Sequence, residues 1–362
     1  MATPIASALA MTLNRREHGL YDQVFRSHPM MAKLIDMKCV EPWGGGGYNL
    51  ETNVQSSINN TFGIAGYKDS QALAEMNPFQ TVTLPACFID GNITWYEADE
   101  MANVGEERRG DYIADLIETG MNSAKNILAL QVWGDGSGIQ MSGLMAILGL
   151  GGMFLSDGKT VNPNFGVFNA SSTYANVARS YSAPWTNSWW NARVGAQYTV
   201  NNGDGTFDTF GTYNTAEPIS LEAGNDGGLL TLYEDTSDNG LLDPPDLGMT
   251  TMPLFNKLHS MMAALGAIRP SDKMVSLGFP DSFMYHGAAI VPDKRCPTGV
   301  FAFLNCKYIK IRPWAGFDDK FQHTPVQSLA PIGKQGYTML MRWSGNFSCR
   351  RPNRNGALTG KF

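Results

Sequence analysis

The chain has 362 residues, 43% of them apolar and 17% charged, with a net charge of −6 at pH 7, enough for one large domain or two smaller ones with a substantial core. Its longest apolar stretch, residues 143 to 155, is shorter than the about 20 residues that cross a bilayer, and the start MATPIASALAMTLNRRE lacks the basic n-region of a secretory signal. Cys39, Cys87, Cys296, Cys306 and Cys349 are odd in number and never form a CxxC pair, so buried reduced thiols are expected rather than a disulfide scaffold or a zinc site.

Residues 1–47 carry short helical patches and end in Pro42, Trp43 and four glycines, which reads as an arm with a flexible exit. YNLETNVQ then alternates, with Tyr48, Leu50 and Val54 on one side, and predicts a half-buried strand. FQTVTLPACFIDGN reads as its return strand, so 48–92 forms a long two-stranded excursion, marginal alone in water. Thr94 followed by Glu97 has the spacing of a capping box at a helix start. The apolar stripe Met101, Val104, Ile113, Leu116, Ile117, Ala124, Ile127 and Leu128 predicts one long helix with a core face, ending near Gln131.

WGDGSGIQMSGLMAI follows that helix. A phosphate loop would need a preceding strand and a lysine after its last glycine, and a nucleophile elbow would need a glycine where Asp135 stands before Ser137. A glycine C-cap and tight turn is therefore the expected structure. Further on, NSWWNARV (187–194) reads as core. No Lys or Arg lies between Val194 and Asn256, and ten acids do; setting them aside turns the net −6 into +4. Within that window Asp235, Asn239, Asp243 and Asp246 echo a calcium loop, but the bidentate glutamate is missing and Pro244 and Pro245 oppose a following helix, which favours a plain acidic turn. His18, His28, His259, His286 and His323 lack metal-ligand spacing and are expected to be surface or satisfied core residues.

From Thr251 a second amphipathic helix shows Leu254, Leu258, Met261, Met262 and Leu265, closed by Gly266. KMVSLGF then predicts a strand, PDSFMYHGAA a short helix, VFAFLNCKYIKIRPW a strand pair and QGYTMLMRWSGNFSCRRP the last strands, before a basic tail. Helices and strands mix without regular alternation, so the expected class is α+β.

Three segments in this order resemble the major capsid proteins of tailed phages, the Hong Kong 97 type: the stretch from ITWYEADEMANV to SGLMAIL, YHGAAIVPDKRCPTGVFAFLN, and RWSGNFSCRRPNRNGAL. The resemblance implies an N-terminal arm at 1–47, an extended E-loop hairpin at 48–92 and a P-domain with a spine helix at 93–145. It further implies an A-domain at 146–305 with an acidic insertion at about 195–249, and closing P-domain strands with a basic tail at 306–362. Thr94, Glu97, Gly134, Gly136, Gly138, Gly143, Leu144, Gly287, Asp293, Pro297 and Asn305 match its motifs as structural positions, with no catalytic, cofactor-binding or metal-binding residue among them. Some members crosslink a loop lysine to a distant asparagine; Lys68 and Asn353 or Asn355 would be the candidates, with a solvated lysine the plainer reading.

The expected function is self-assembly into the icosahedral shell around the double-stranded DNA genome of a tailed phage, without enzymatic activity or cofactor. The alternative is the shell of a bacterial encapsulin-type nanocompartment. Expected partners are further copies in hexamers and pentamers, a portal, separate scaffolding or decoration proteins, and packaged DNA bound without sequence specificity, but no membrane. A chain starting at Met1 is expected to lack a cleaved scaffolding segment, and assembly in the host cytoplasm would place the chain in the virion capsid.

Overall fold

A computed structural model of the chain describes residues 28–44, 47–56, 79–98, 106–169, 172–179, 190–194, 198–201, 207–210, 219–221, 228–237, 243–266, 269–314, 322–330 and 333–361. The first described element, α1 (Pro29–Asp36), starts on a proline whose fixed φ suits a first helical position. Met30, Met31, Ala32 and Leu34 are all buried, so the helix is apolar nearly all round and lies inside the protein. Val40 and Trp43 then form bridges beside Ile311 and Trp314. Residues 28–43 are thus part of the chain's own core and not a free arm; residues 1–27 of the expected arm lie outside the described residues.

Strands β1 (Asn49–Gln55) and β2 (Phe79–Pro85) pair antiparallel over seven residues, from Asn49 opposite Pro85 to Gln55 opposite Phe79. The expected return strand is in fact two, because the ladder breaks at Ala86 and β3 (Cys87–Tyr96) joins a different sheet. Ile89, Ile93 and Trp95 point into the core, which extends β3 through Thr94 to Tyr96. The capping box is therefore corrected: Thr94 is a strand residue whose hydroxyl shares a 3.0 Å hydrogen bond with that of Thr338, and helical residues begin only at Glu97.

The long helix appears as α2 (Glu106–Gln131), 26 residues or roughly 39 Å at 1.5 Å per residue. Met101 and Val104 lie outside the described residues. Ile113, Ile117, Met121 and Leu128 are its buried stripe, whereas Ile127, expected inside, is 43% exposed. Gly120 lets α2 approach β3 closely, since a Cβ there would sit 2.7 Å from Ile93 Cδ1. Ile117→Ala is expected to cost about 2–5 kcal/mol and Ile127→Ala less than about 0.5 kcal/mol. Urea midpoints of the two variants check this; similar losses would contradict the assigned helix face.

After the glycine turn come α3 (Leu144–Leu148), entirely buried, the small hairpin β4 (Thr173–Tyr174) and β5 (Val177–Ala178), and β6 (Arg193–Val194). Trp190 of the aromatic cluster is a core residue as expected, stacked on Tyr174 at 5.5 Å. Within the acidic window lie the hairpin β7 (Tyr198–Asn201) and β8 (Phe207–Phe210), helix α4 (Leu229–Ser237) and strand β9 (Leu247–Thr250). The end of the expected insertion is therefore core, because every residue of β9 is buried.

Helix α5 (Met252–Ala264) buries Leu254, Phe255, Leu258 and Met262, with Leu265 exposed beyond its end. The next two expectations are reversed: residues 273–279 hold the short helix α6 (Asp272–Ser276), and the segment expected as helix is the hairpin β10 (Phe283–Tyr285) and β11 (Ala288–Pro292). Phe283, Tyr285 and Ile290 decide the outcome by packing with α5 on one sheet face, an override of local propensity by tertiary burial. Strands β12 (Phe301–Leu304), β13 (Ile309–Pro313), β14 (Gln322–His323), β15 (Gln327–Ser328), β16 (Gly336–Cys349) and β17 (Gly356–Leu358) complete the chain.

Two sheets organise these elements. The six-stranded sheet has the order β10-β11-β9-β12-β17-β6 and mixes parallel with antiparallel pairs. Ile290, Phe301, Phe303 and Leu358 pack under α4 and α5 on one face; Val291, Ala302, Leu304 and Ala357 meet the larger core on the other. The five-stranded sheet is built around β16, which pairs with β3 over ten residues and with β13, β14 and β15. The expected basic tail is a further correction: β17 sits inside the first sheet and Lys361 is buried. The α+β class is met.

Candidate functional site

The glycine turn is held by three polar side chains, one its own, one from the end of α2 and one from β16. Asp135 accepts the Ser137 N–H at 2.9 Å on one oxygen and the Gly152 N–H at 3.0 Å on the other. Gln131 Oε1 accepts the Met141 N–H at 2.9 Å, and Asn346 Oδ1 accepts that of Ser142 at 2.8 Å. Gly134, Gly136 and Gly143 donate their N–H groups to carbonyls of Gln131 and Met141. A phosphate cradle requires those donors free, so this loop is a structural joint. Gly136 and Gly138 have φ of +76° and +60°. At Gly143 a Cβ would lie 2.2 Å from the Val132 carbonyl oxygen, and the buried Leu144 N–H donates to that same oxygen at 2.7 Å.

The turn is fastened to the rest of the protein by Trp133. Its Nε1 donates to Asp293 Oδ2 at 2.7 Å, and His28 Nε2 meets the same oxygen at 2.8 Å. His28 and Trp133 are fully buried and their rings meet edge-on at 6.2 Å. Burial raises the Asp293 carboxyl, but His28, the Arg295 N–H and Trp133 together lower it further, to about 2. One carboxylate thereby joins the start of α1, the end of α2 and the end of β11.

A second joint lies around Asn305. Its N–H donates to Asn355 Oδ1 at 2.9 Å, its Nδ2 donates to the Asp243 carbonyl at 2.8 Å, and its Oδ1 accepts the Lys307 N–H at 3.2 Å. Nearby, Asp246 accepts the Cys306 N–H at 2.9 Å and pairs with the buried Lys33 of α1 at 3.2 Å. Asn355 is fully buried and committed to this network, so it is unavailable for a surface crosslink; Lys68 lies outside the described residues.

The remaining motif positions stand apart. Gly287, with φ of +94° beside His286 at +46°, makes the tight turn between β10 and β11. Pro297 packs against Gly166, where a Cβ would sit 2.6 Å from it. Glu97 donates its N–H to the Gln335 carbonyl at 3.3 Å. The calcium echo is not gathered: Asp235 lies in α4, Asp243 is bound by Lys307 and Tyr308, Asp246 by Lys33, and Asn239 is outside the described residues. Burial raises the Asp235 carboxyl to about 6. Among the described residues no group of three or more His, Cys, Asp or Glu side chains is placed to hold a metal ion. Sequence reasoning found the glycines, Asp293 and Asn305, but missed Lys33 and Trp133, whose partners lie more than 150 residues away.

All five cysteines are free and buried. Burial pushes Cys87 up to about 11 and Cys349 up to about 12, and raises Cys39, Cys296 and Cys306. A disulfide reagent at mild alkaline pH is expected to titrate none of the five thiols in the native chain and all of them in denaturant. Rapid native reaction of any thiol would contradict its burial.

No protein-family model matches the sequence, and no curated protein matches it significantly. Among solved structures, a chain of the cyanophage A-1(L) capsid asymmetric unit superposes with a TM-score of 0.56 at 11% identity, covering 91% of this chain and 93% of that one. The fold is that of a cyanophage capsid chain. The capsid asymmetric unit of cyanophage Pam1 gives 0.47 at 9% identity, over 88% of this chain and 86% of that one. The capsid of an empty GTA particle gives 0.46 at 10%, over 90% and 89%. At the level of fold, the resemblance drawn from the residues is met by the capsid chain of cyanophage A-1(L). The two buried joints link the sheets and helices of this one chain.

Proposed function

We propose that the chain is the major capsid protein of a tailed phage, copies of which assemble as hexamers and pentamers into a closed icosahedral shell around double-stranded DNA. The observation that carries this reading is the cyanophage capsid fold over nine-tenths of the chain. The polar motif residues support it, because they are spent on joining distant segments and leave no reacting centre among themselves. Symmetric closure by many modest interfaces is the physical basis of such a shell.

In this reading β1 and β2 form the base of the E-loop, which ends near Ala86 and not at residue 92. The sheet around β16, with α2, is the P-domain, and the sheet around β9 and β12 is the A-domain. The arm is confined to residues before His28. A portal, scaffolding or decoration proteins and packaged DNA are the partners such a shell requires, and assembly would take place in the host cytoplasm. The nanocompartment alternative has no observation in its favour. Sedimentation velocity of natively prepared material, followed at protein and nucleic-acid wavelengths together, tests the proposal. A megadalton species with strong nucleic-acid absorbance is expected. Particles absorbing only as protein, with an enzyme inside, would overturn the phage reading, and a species of one chain's mass under all assembly conditions would overturn the shell.

A further inference from the structure

A strongly basic face lies where β13 meets the end of β16. Lys310 and Arg312 alternate with buried Ile309 and Ile311, and Lys310 stands opposite Ser348. The ladder continues through the Arg350 N–H to the Tyr308 carbonyl, which brings Arg350 to the same edge. Lys307 and Arg351 flank the Tyr308 ring at 5.6 and 5.1 Å. Against these five cations stand only two carboxylates among the described residues. Glu41 pairs with Lys310 and, at 2.6 Å, with Arg312; Asp243 pairs with Lys307 at 2.6 Å and accepts the Tyr308 hydroxyl. The surplus is felt locally, since burial and then repulsion from Arg350 lower both Lys310 and Arg312. Lys307, Arg350 and Arg351 are exposed.

We infer that this face docks the acidic stretch from Asp204 to Asp226 of a second copy of the chain, a contact that rests on the shell reading. Three observations favour this occupant. Asp204, Asp208, Glu217, Glu222 and Asp226 lie in this stretch, within a window free of Lys and Arg in a chain of net −6. Asp243, from the same window, already binds Lys307 and Tyr308 within one copy, so the chemistry of the match is on display and still leaves the face net positive. Copies carrying −6 each repel one another, and complementary patches are the means by which such chains associate and fix their register. A nucleic acid would meet the same cations but also the chain's overall negative field.

The test is zero-length carbodiimide crosslinking of particles assembled from isotope-labelled and unlabelled full-length chains, with lysine acylation in parallel on unassembled chains, empty particles and filled particles. Mixed-isotope crosslinks joining Lys307 to the segment between Asp204 and Asp226 are expected, together with protection of Lys307 in empty and filled particles alike. Arg350→Glu, which alters an exposed side chain, is expected to slow assembly about tenfold at low salt and much less at high salt. Protection of Lys307 only when nucleic acid is inside would overturn the inference and make this a nucleic-acid surface. Full reactivity in every particle, or crosslinks confined to one copy, would also overturn it while leaving the shell standing. Absence of any megadalton species would remove the shell reading, and this contact with it.

Discussion

Gly138→Ala is expected to destabilise the chain by about 3 kcal/mol or more, the sum of a left-handed backbone cost and an overlap that cannot relax. At φ of +60° an added Cβ would lie 2.0 Å from the Ser156 carbonyl oxygen and 2.8 Å from its carbon. Backbone on both sides, tied down through Asp135, Gln140 and Asn346, leaves neither partner room to move. Gly266 is the matched comparison, with φ of +63° and nothing within 4 Å of the same built atom. Gly266→Ala should lose only the backbone cost, about 1 kcal/mol. Urea unfolding of the two variants separates the contributions. If Gly138→Ala were no worse than Gly266→Ala, the tightness of the glycine turn would be refuted.

The other large effect belongs to Asp293. Asp293→Ala leaves the Trp133 Nε1–H and the His28 ring buried without their shared acceptor, and removing one member of a buried pair costs about 3–5 kcal/mol. The loss should free α1, so that proteolysis near residue 28 accompanies it. The pH dependence has a definite sign. Because the folded carboxyl is lowered to about 2, its stabilisation is fully present above the ordinary carboxylate value of about 3.9 and disappears as pH falls from there towards about 2. Asp293→Asn should therefore show a shallower acid-induced loss across that interval than the parent chain. Parallel acid-unfolding curves would rule out this role.

Which parts of this architecture could be read beforehand follows from the range of the interactions involved. The long helix, the glycine turn and the strands β12, β13 and β16 announce themselves through periodicity within some ten residues. The misreadings sit where distant burial decides. Residues 273–292 show weak periodicity, and packing against α5 turned the expected strand and helix into a helix and a hairpin. Thr94 and Glu97 satisfy a local helix signature that lost to a ten-residue ladder with β16. Residues 28–43 look like an arm because their glycine-rich exit is visible, while Lys33's partner, Asp246, is more than 200 residues away. At the site the residue types were legible, since Asp293 and Asn305 belong to a segment, YHGAAIVPDKRCPTGVFAFLN, that resembles a family motif. What they touch was not, because His28, Trp133 and Asn355 approach from other parts of the chain.

The pairing of β3 with β16 also sets a timetable. Residues 87–96 must find residues 336–345, a loop closure of roughly 240 positions that places this ladder among the slowest contacts to form. The β9–β12 sheet can collapse earlier, leaving β3 with an open edge in a half-finished molecule. In a cell producing many copies at once, that edge can accept β16 from a neighbour as readily as its own, giving swapped or clumped chains. The yield of correctly folded chains is then governed by a race between intramolecular closure and encounter with another copy, and dilution or chaperone sequestration during synthesis should raise it.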